Sequence, residues 1–207
     1  MTISVFVLED HDVTRKGIRL ILEESPAIQV VGEAENVEAG LDLVLSLRPD
    51  VVVSDFFFSQ GKTGADLIFE LQQAGCLVPV LILSGYDTPA YVEKALMTGA
   101  KGYMLKDEYG PSLFTAVRQI AEGGSYFSPA LDPIIRELKE VMAHLTDREW
   151  EVVRFVAQGL KNEEMAQILG IEGRTVRAHL EKVFKKLGLS HRGELIAWAW
   201  KNGYAER

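Results

Sequence analysis

Asp55 closes a short apolar run, Val51-Val52-Val53-Ser54. Three successive β-branched residues read as a strand buried on both faces, as in a parallel sheet. In an open α/β sheet, ligands bind just beyond the carboxyl ends of the strands, so an acid there is placed for chemistry. An aspartate at a strand end also caps the loop that follows. Three other apolar runs stop at polar groups in the same way: residues 3–8 at Glu9-Asp10, residues 80–83 at Ser84, and residues 102–105 at Lys106. Three carboxylates gathered in one crevice repel one another unless a positive charge lies among them. Oxygen ligands of this kind suit Mg2+, which keeps several waters and accepts a phosphoryl oxygen. Lys106 adds a second positive charge and Ser84 a hydroxyl donor. The set fits phosphoryl transfer onto a carboxylate, a reaction that needs positioning and charge neutralisation more than covalent help. In that chemistry Glu9 and Asp10 hold the metal, Asp55 attacks phosphorus, and Lys106 and Ser84 bind the phosphoryl oxygens. The alternative is a group of solvated loop acids beside a surface lysine.

The elements that must position these groups follow from periodicity. Strands are expected over residues 3–8, 28–32, 51–55, 80–83 and 102–105, and helices over about 12–24, 36–47, 64–74, 88–98 and 111–122. Such strict βα alternation forces right-handed crossovers and a parallel sheet with helices on both faces. The expectation is a flavodoxin-like, doubly wound, five-stranded sheet in the order 2-1-3-4-5. Gly123-Gly124-Ser125 interrupts the pattern, and Pro129 and Pro133 follow. Residues 124–144 therefore read as a linker with a short helix in its second half. From Leu145 the pattern is all helical. Thr146 with Glu149 three residues on forms a capping box, and Gly159 ends that helix near Gln158. Asn162 caps a helix over 163–169, Gly170 stops it, a helix over 174–187 ends at Gly188, and a fourth runs over 192–202. The expected domains are residues 1–123, the 124–144 linker, and a small all-α four-helix domain over 145–207.

Composition narrows the setting. With 47% apolar and 25% charged residues among 207, the chain is ordinary for a soluble globular protein. No apolar run has the length of a membrane span, and acids stand where a signal peptide needs basic and then apolar residues. The expected compartment is the cytoplasm, with no membrane partner. A single cysteine, Cys76, excludes an internal disulfide and a cysteine-based zinc site. Residues 1–123 hold 9 Lys/Arg against 18 Asp/Glu, whereas residues 124–207 hold 13 against 12. Within 174–192 stand Arg174, Arg177, Lys182, Lys185, Lys186 and Arg192 against Glu181 alone. That local basic field points to nucleic acid contact by the second half only.

On these residues the first part resembles the receiver domain of two-component response regulators. The matching features are Glu9-Asp10, Asp55, Ser84-Gly85, and Gly99-Ala100-Lys101-Gly102-Tyr103-Met104-Leu105-Lys106. The resemblance implies phosphorylation of Asp55 by a sensor histidine kinase, with Mg2+ held by Glu9, Asp10, Asp55 and the backbone carbonyl of Phe57. It also implies that Ser84 and Tyr103 move together to report phosphorylation. Read for itself, Tyr103 would pass as core. One segment departs from the family pattern, which has Met-Pro at the third and fourth positions after the acceptor and a Gly eight positions after it. Here Phe58-Ser59 stand at those positions and Gly64 lies nine after Asp55, so the loop is one residue longer and lacks proline. Three consecutive phenylalanines, Phe56, Phe57 and Phe58, are not expected all to be buried in a surface loop. Either the rim of the site is altered or they form part of a kinase-docking surface.

Residues 163–187 read as helix, turn, helix, with a second helix whose exposed positions suit phosphate contacts around a major groove. A solvated amphipathic helix is the plainer alternative. Residues 145–203 resemble the LuxR-type helix-turn-helix domain of the NarL/FixJ class through Leu145-Thr146, Arg148-Glu149, Glu151-Val152, Ala157, Gly159-Leu160, Asn162, Glu164, Ala166, Leu169-Gly170, Thr175-Val176, His179 and Lys186-Leu187. The resemblance implies a recognition helix on double-stranded DNA, with Arg174, Thr175, Arg177, Ala178, Glu181, Lys182 and Lys185 as DNA-facing residues, Mg2+-dependent phosphorylation of the first domain, and a homodimer formed on phosphorylation or on DNA. Glu181 is expected to pair with Arg177, or alternatively with Lys185. His179 is expected to fix the helix through a core hydrogen bond. Trp198 and Trp200, two apart, cannot share one helical face, so one is core and the other outward. Two rival functions follow from other classes: an enzyme with Asp55 as nucleophile, for which no general acid or substrate cap is evident, and a phosphorylation-independent DNA-binding or scaffold protein.

Overall fold

A parallel sheet in the order β2-β1-β3-β4-β5-β6 organises the first half of the chain. The structure, a computed structural model, describes residues 2–59 and 61–201. Its strands are β1 (Ile3–Leu8), β2 (Ile28–Ala34), β3 (Val51–Asp55), β4 (Val80–Ser84), β5 (Gly102–Leu105) and β6 (Tyr126–Phe127). Every residue of β3, β4 and β5 is buried, as continuous apolar runs covered on both faces must be. Helices α1 (Asp12–Glu23), α2 (Val37–Leu47), α3 (Gly64–Gln73), α4 (Pro89–Met97) and α5 (Pro111–Ala121) alternate with the first five strands. Ile18 and Leu22 of α1 and Leu113, Val117 and Ile120 of α5 join Val5, Val7, Val51, Val53, Leu81 and Leu83 in one core. Val13 and Leu20 of α1, by contrast, point outward.

The five expected strands lie in the expected order, and a sixth is added. Tyr126 and Phe127 pair in parallel with Gly102 and Tyr103. Glycine at 102 permits this: a Cβ there would lie 2.7 Å from the Tyr126 carbonyl oxygen. Ser128, fully buried, fastens the new strand by accepting from the Leu105 N–H at 2.9 Å and donating to Glu108 Oε2 at 2.5 Å. A helix, α6 (Asp132–His144), follows.

The chain divides into two compact units, one of residues 1–87 with 92–132 and the other of residues 88–91 with 133–207. The second unit holds α7 (Asp147–Ala157), α8 (Asn162–Leu169), α9 (Gly173–Leu187) and α10 (Arg192–Lys201). Thr146 and Glu149 form the expected capping box at the start of α7. Trp150, Val153, Val156, Met165, Val176, Leu180, Val183 and Leu195 make its core, with α7 against α9 and α10, and α8 against α9. Three expectations need correction. Asn162 is the first residue of α8 and not its cap; its Oδ1 accepts from Arg192 Nη1 at 3.1 Å. The half-buried His179 ring makes no hydrogen bond among the described residues. Glu181 lies within ion-pair distance of neither Arg177 nor Lys185 among the described residues, because all three side chains are solvated. Trp198 is half-buried against Trp150, centroids 6.4 Å apart, and Trp200 is exposed. Gln60, in the loop after Asp55, and Asn202, the expected end of α10, lie outside the described residues. No helix among the described residues is long and apolar enough to cross a membrane.

Candidate functional site

Strand register brings the strand-end groups together. Leu8 pairs with Ser54, which sets Glu9 beside Asp55, and Ser84 pairs with Leu105, which sets Ser84 beside Lys106. Lys106 Nζ donates to Glu9 Oε2 at 2.8 Å and lies 3.0 Å from Asp55 Oδ2. The Phe56 N–H donates to Asp55 Oδ1 at 2.7 Å. The Ser59 N–H donates to Asp10 Oδ2 at 2.8 Å. Asp10 Oδ1 is buried and accepts no hydrogen bond among the described residues, and the His11 Nδ1 atom lies 2.8 Å from it. Ligand atoms of Glu9, Asp10, His11 and Asp55 all lie within 4.8 Å of one another.

The charges strain against their surroundings. Burial pushes the Asp55 carboxyl above its ordinary value, the Lys106 ammonium pulls it back, and Glu9 adds to the upward push. Burial works against the Lys106 ammonium, but Glu9 and Asp55 outweigh it and hold its pKa high. The Asp10 carboxyl is held low by the Ser59 amide and by His11, although burial opposes this. Three acids with one lysine, one of them carrying an orphaned buried oxygen, make a donor set that fits a hard divalent cation. A cavity of about 250 Å³ opens beside Lys106, lined by Ser84, Gly85, Asp87, Leu105 and Asp107.

Ser84 and Tyr103 are linked through Tyr86. The Tyr86 N–H donates to Ser84 Oγ at 3.1 Å, and the fully buried Tyr103 donates its Oη–H to the Tyr86 carbonyl at 2.8 Å. Burial pushes the Tyr103 phenol up to about 12, so it stays a donor. As expected, the three phenylalanines are not all buried: Phe56 and Phe58 are buried and Phe57 is half-buried. The loop folds back because Phe57 and Thr63 form an isolated bridge, with Gly64 N–H bonded to Phe56 C=O and Phe58 N–H to Lys62 C=O. Those bonds use the residues that flank Phe57, not Phe57 itself. Gly64 makes the fold-back feasible, since a Cβ there would sit 2.5 Å from the Asp55 carbonyl oxygen. The sequence reading missed Tyr86 and His11. The one available signal for Tyr86 was its spacing, two residues after Ser84, as Phe57 is two after Asp55.

In the second unit α9 buries Val176, Leu180 and Val183 on one side. Arg174, Arg177, Ala178, Glu181, Lys182 and Lys185 are exposed, at three- and four-residue spacing along the other, and Thr175 is half-buried at their edge. Arg174 is drawn to Glu172, Nε to Oε2 2.5 Å.

An acid-and-lysine crevice at the strand ends of an α/β unit, followed by a basic-faced helix-turn-helix unit, is the make-up of a two-component response regulator. Family models agree on both parts: the response regulator receiver domain matches residues 5–118, and the luxR family of bacterial regulatory proteins matches residues 143–199. The chain is 33% identical to the transcriptional regulatory protein DesR of Bacillus subtilis over 98% of each chain, and 32% identical to the nitrate/nitrite response regulator NarL of Escherichia coli over 94% of each. Among solved structures it resembles the response regulator ChrA of a heme-sensing two-component system, at 34% identity and TM-score 0.56 over 98% of each chain. It shares the fold of RcsB, solved as two dimers bound to two parallel DNAs, at 23% identity and TM-score 0.69 over 97% of this chain and 99% of that one. The chain belongs to the response regulators of the NarL/FixJ class, transcriptional regulators that join a receiver domain to a LuxR-type DNA-binding domain.

Proposed function

We propose that a sensor histidine kinase phosphorylates Asp55 and that this controls dimerisation and DNA binding. The observation that carries the proposal is the Glu9–Lys106–Asp55 contact, which gathers the acceptor, its acid neighbour and a cation from three strands. Mg2+ would be held by Glu9, Asp10, Asp55 and the Phe57 carbonyl, and would neutralise charge on the transferred phosphoryl group. An Asp55 oxygen attacks phosphorus as the P–N bond of a phosphohistidine breaks, and the imidazole takes up a proton. Lys106, already beside Asp55, pairs with a phosphoryl oxygen. The Ser84 hydroxyl donates to another, which pulls on Tyr86 and through its carbonyl on Tyr103.

The domains proposed are residues 1–123 as receiver, 124–144 as linker with its helix, and 145–207 for DNA. Arg174, Thr175, Arg177, Ala178, Glu181, Lys182 and Lys185 face double-stranded DNA. Two linked half-site contacts gain the avidity that one lacks. The protein acts in the cytoplasm, as a regulator and not as an enzyme. The test is light scattering with operator binding, with and without beryllofluoride and Mg2+. A doubled mass and tighter operator binding are expected; neither changing would refute the phosphorylation switch.

A further inference from the structure

The linker reaches back to the phosphoryl site through one side chain. Ser128 is fully buried, and its hydroxyl is bonded twice. It accepts from the Leu105 N–H at 2.9 Å and donates to Glu108 Oε2 at 2.5 Å, a separation typical of a hydroxyl on a carboxylate. Leu105 ends β5, and Lys106–Glu108 form a single turn of 3-10 helix directly after it. The two partners of one hydroxyl therefore bracket Lys106, one residue before it and two after. The backbone along the same edge is bonded in step. The Tyr126 N–H donates to the Lys101 carbonyl and the Ser128 N–H to the Tyr103 carbonyl, each at 3.0 Å. Past Ser128 the Leu131 N–H returns to the Ser128 carbonyl at 2.8 Å, Leu131 is fully buried, and α6 starts at the next residue. A buried hydroxyl costs stability unless it is bonded, whereas an apolar side chain covers a sheet edge at no such cost. The placement of its two partners, on either side of Lys106, accounts for a serine here.

We propose that Ser128 is a positioning residue for Lys106: a clasp through which the linker sets the turn that aims the ammonium at Asp55. The inference rests on Asp55 as acceptor. Lys106 Nζ stands 3.0 Å from Asp55 Oδ2, where it meets a phosphoryl oxygen with little rearrangement, and transfer depends on charge placed in advance. A lysine on its flexible four-carbon stem has wide rotamer freedom, so its aim depends on a fixed backbone. Leu105 and Glu108 fix that backbone only while Ser128 holds both. The coupling is reciprocal, as a coupling free energy between two sites must be. A phosphoryl group that pins Lys106 also pins the turn over 106–108, tightens the Ser128–Glu108 bond, and so holds β6 more firmly to β5. Phosphorylation thereby stiffens the first residues of the linker.

The test uses the full chain with labelled phosphoramidate and Mg2+, well below the melting temperature, with label counted per folded molecule. Ser128→Ala and Glu108→Ala are each expected to slow labelling by about tenfold, short of the roughly hundredfold that a misplacement of about 1 Å costs. The double variant is expected to be no slower than the slower single one, since both changes break one bond. Glu108→Gln keeps an acceptor oxygen and is expected to recover most of the rate. In a Lys106→Met background Ser128→Ala is expected to have no further effect, which separates positioning through Lys106 from general loosening. Hydrogen exchange at the Tyr126 and Ser128 N–H groups is expected to slow when beryllofluoride and Mg2+ are added, and Glu108→Ala to lose that protection. Wild-type labelling rates in Ser128→Ala and Glu108→Ala, strictly multiplicative effects in the double variant, a further loss in the Lys106→Met background, or exchange indifferent to beryllofluoride would each overturn the clasp. Wild-type protein that takes no label would instead overturn Asp55 as acceptor, and the clasp with it.

Discussion

Lys106→Met removes the cation held between Glu9 and Asp55. Its ammonium lies 2.8 Å from Glu9 Oε2 and 3.0 Å from Asp55 Oδ2. At an effective dielectric of about 20, each contact is a gross attraction of about 5–6 kcal/mol. Much of that offsets the cost of taking the ammonium out of water, so the net loss is smaller. Breaking a buried ion pair from one side costs about 3–5 kcal/mol, and this site, with Glu9 fully buried and Asp55 nearly so, belongs in that range. The loss depends on pH in a definite sense. Without the lysine, nothing opposes burial and Glu9 at Asp55, whose carboxyl already stands above its ordinary value. A carboxyl with a raised folded-state pKa favours folding below its unfolded pKa and withdraws that support as pH rises through the folded one. The variant should therefore lie close to wild type near pH 4 and fall behind as pH rises to 7. Added Mg2+ should narrow the gap, because it replaces the missing positive charge. Urea melts from pH 4 to 8, with and without millimolar Mg2+, measure this directly. A deficit that is flat with pH and indifferent to Mg2+ would show that Lys106 does not neutralise the acid pair.

Phe56→Ala, although it falls in a loop by sequence, should cost about 3–5 kcal/mol in a denaturant melt, since the ring is 1% exposed. Glu149→Gln should destabilise the second unit by about 1–3 kcal/mol at pH 7, as Glu149 bonds Lys186 Nζ at 2.6 Å from a nearly buried position. Despite burial, the Lys186 and Thr146 bonds hold its pKa below normal, so its support exists above the unfolded pKa and disappears as pH falls through the folded one. The wild-type and variant melts should converge as pH falls through that lowered folded-state pKa. Glu181→Gln and Glu181→Ala, tested by selection from random DNA, should relax base preference at one position of each half-site, because a glutamate free of ion pairs can accept from the cytosine N4 amino group. A uniform gain in affinity with an unchanged selected sequence would mean that it only repels phosphate.

The strands that hold the site were legible because burial on both faces leaves an unmistakable mark: Val51-Val52-Val53 and Val80-Leu81-Ile82-Leu83 contain no polar residue. The gathering of the candidate residues was legible because the topology brings separate strand ends to one crevice. β6 was not legible. Two residues carry no period, and its pairing depends on Gly102 and on the buried Ser128 hydroxyl, which are tertiary facts. Which of the three phenylalanines turn inward was not legible, because loop side chains are ordinarily solvated, whereas here the fold-back onto Gly64 buries Phe56 and Phe58. Asn162 carried a capping signature, but Arg192, distant in sequence, took its side chain. The Glu181 pair was a local rule applied to a helix face where solvent competes for both charges.

Asp55 carries the proposed function. Wild-type protein, Asp55→Asn and Asp10→Asn are incubated with a labelled small phosphodonor over a range of Mg2+ concentrations, and label on the chain is followed with time. The expected result is Mg2+-dependent labelling of wild type, none of Asp55→Asn, and labelling of Asp10→Asn only at raised Mg2+. Undiminished labelling of Asp55→Asn would contradict the central claim, because the phosphoryl group would then reside elsewhere.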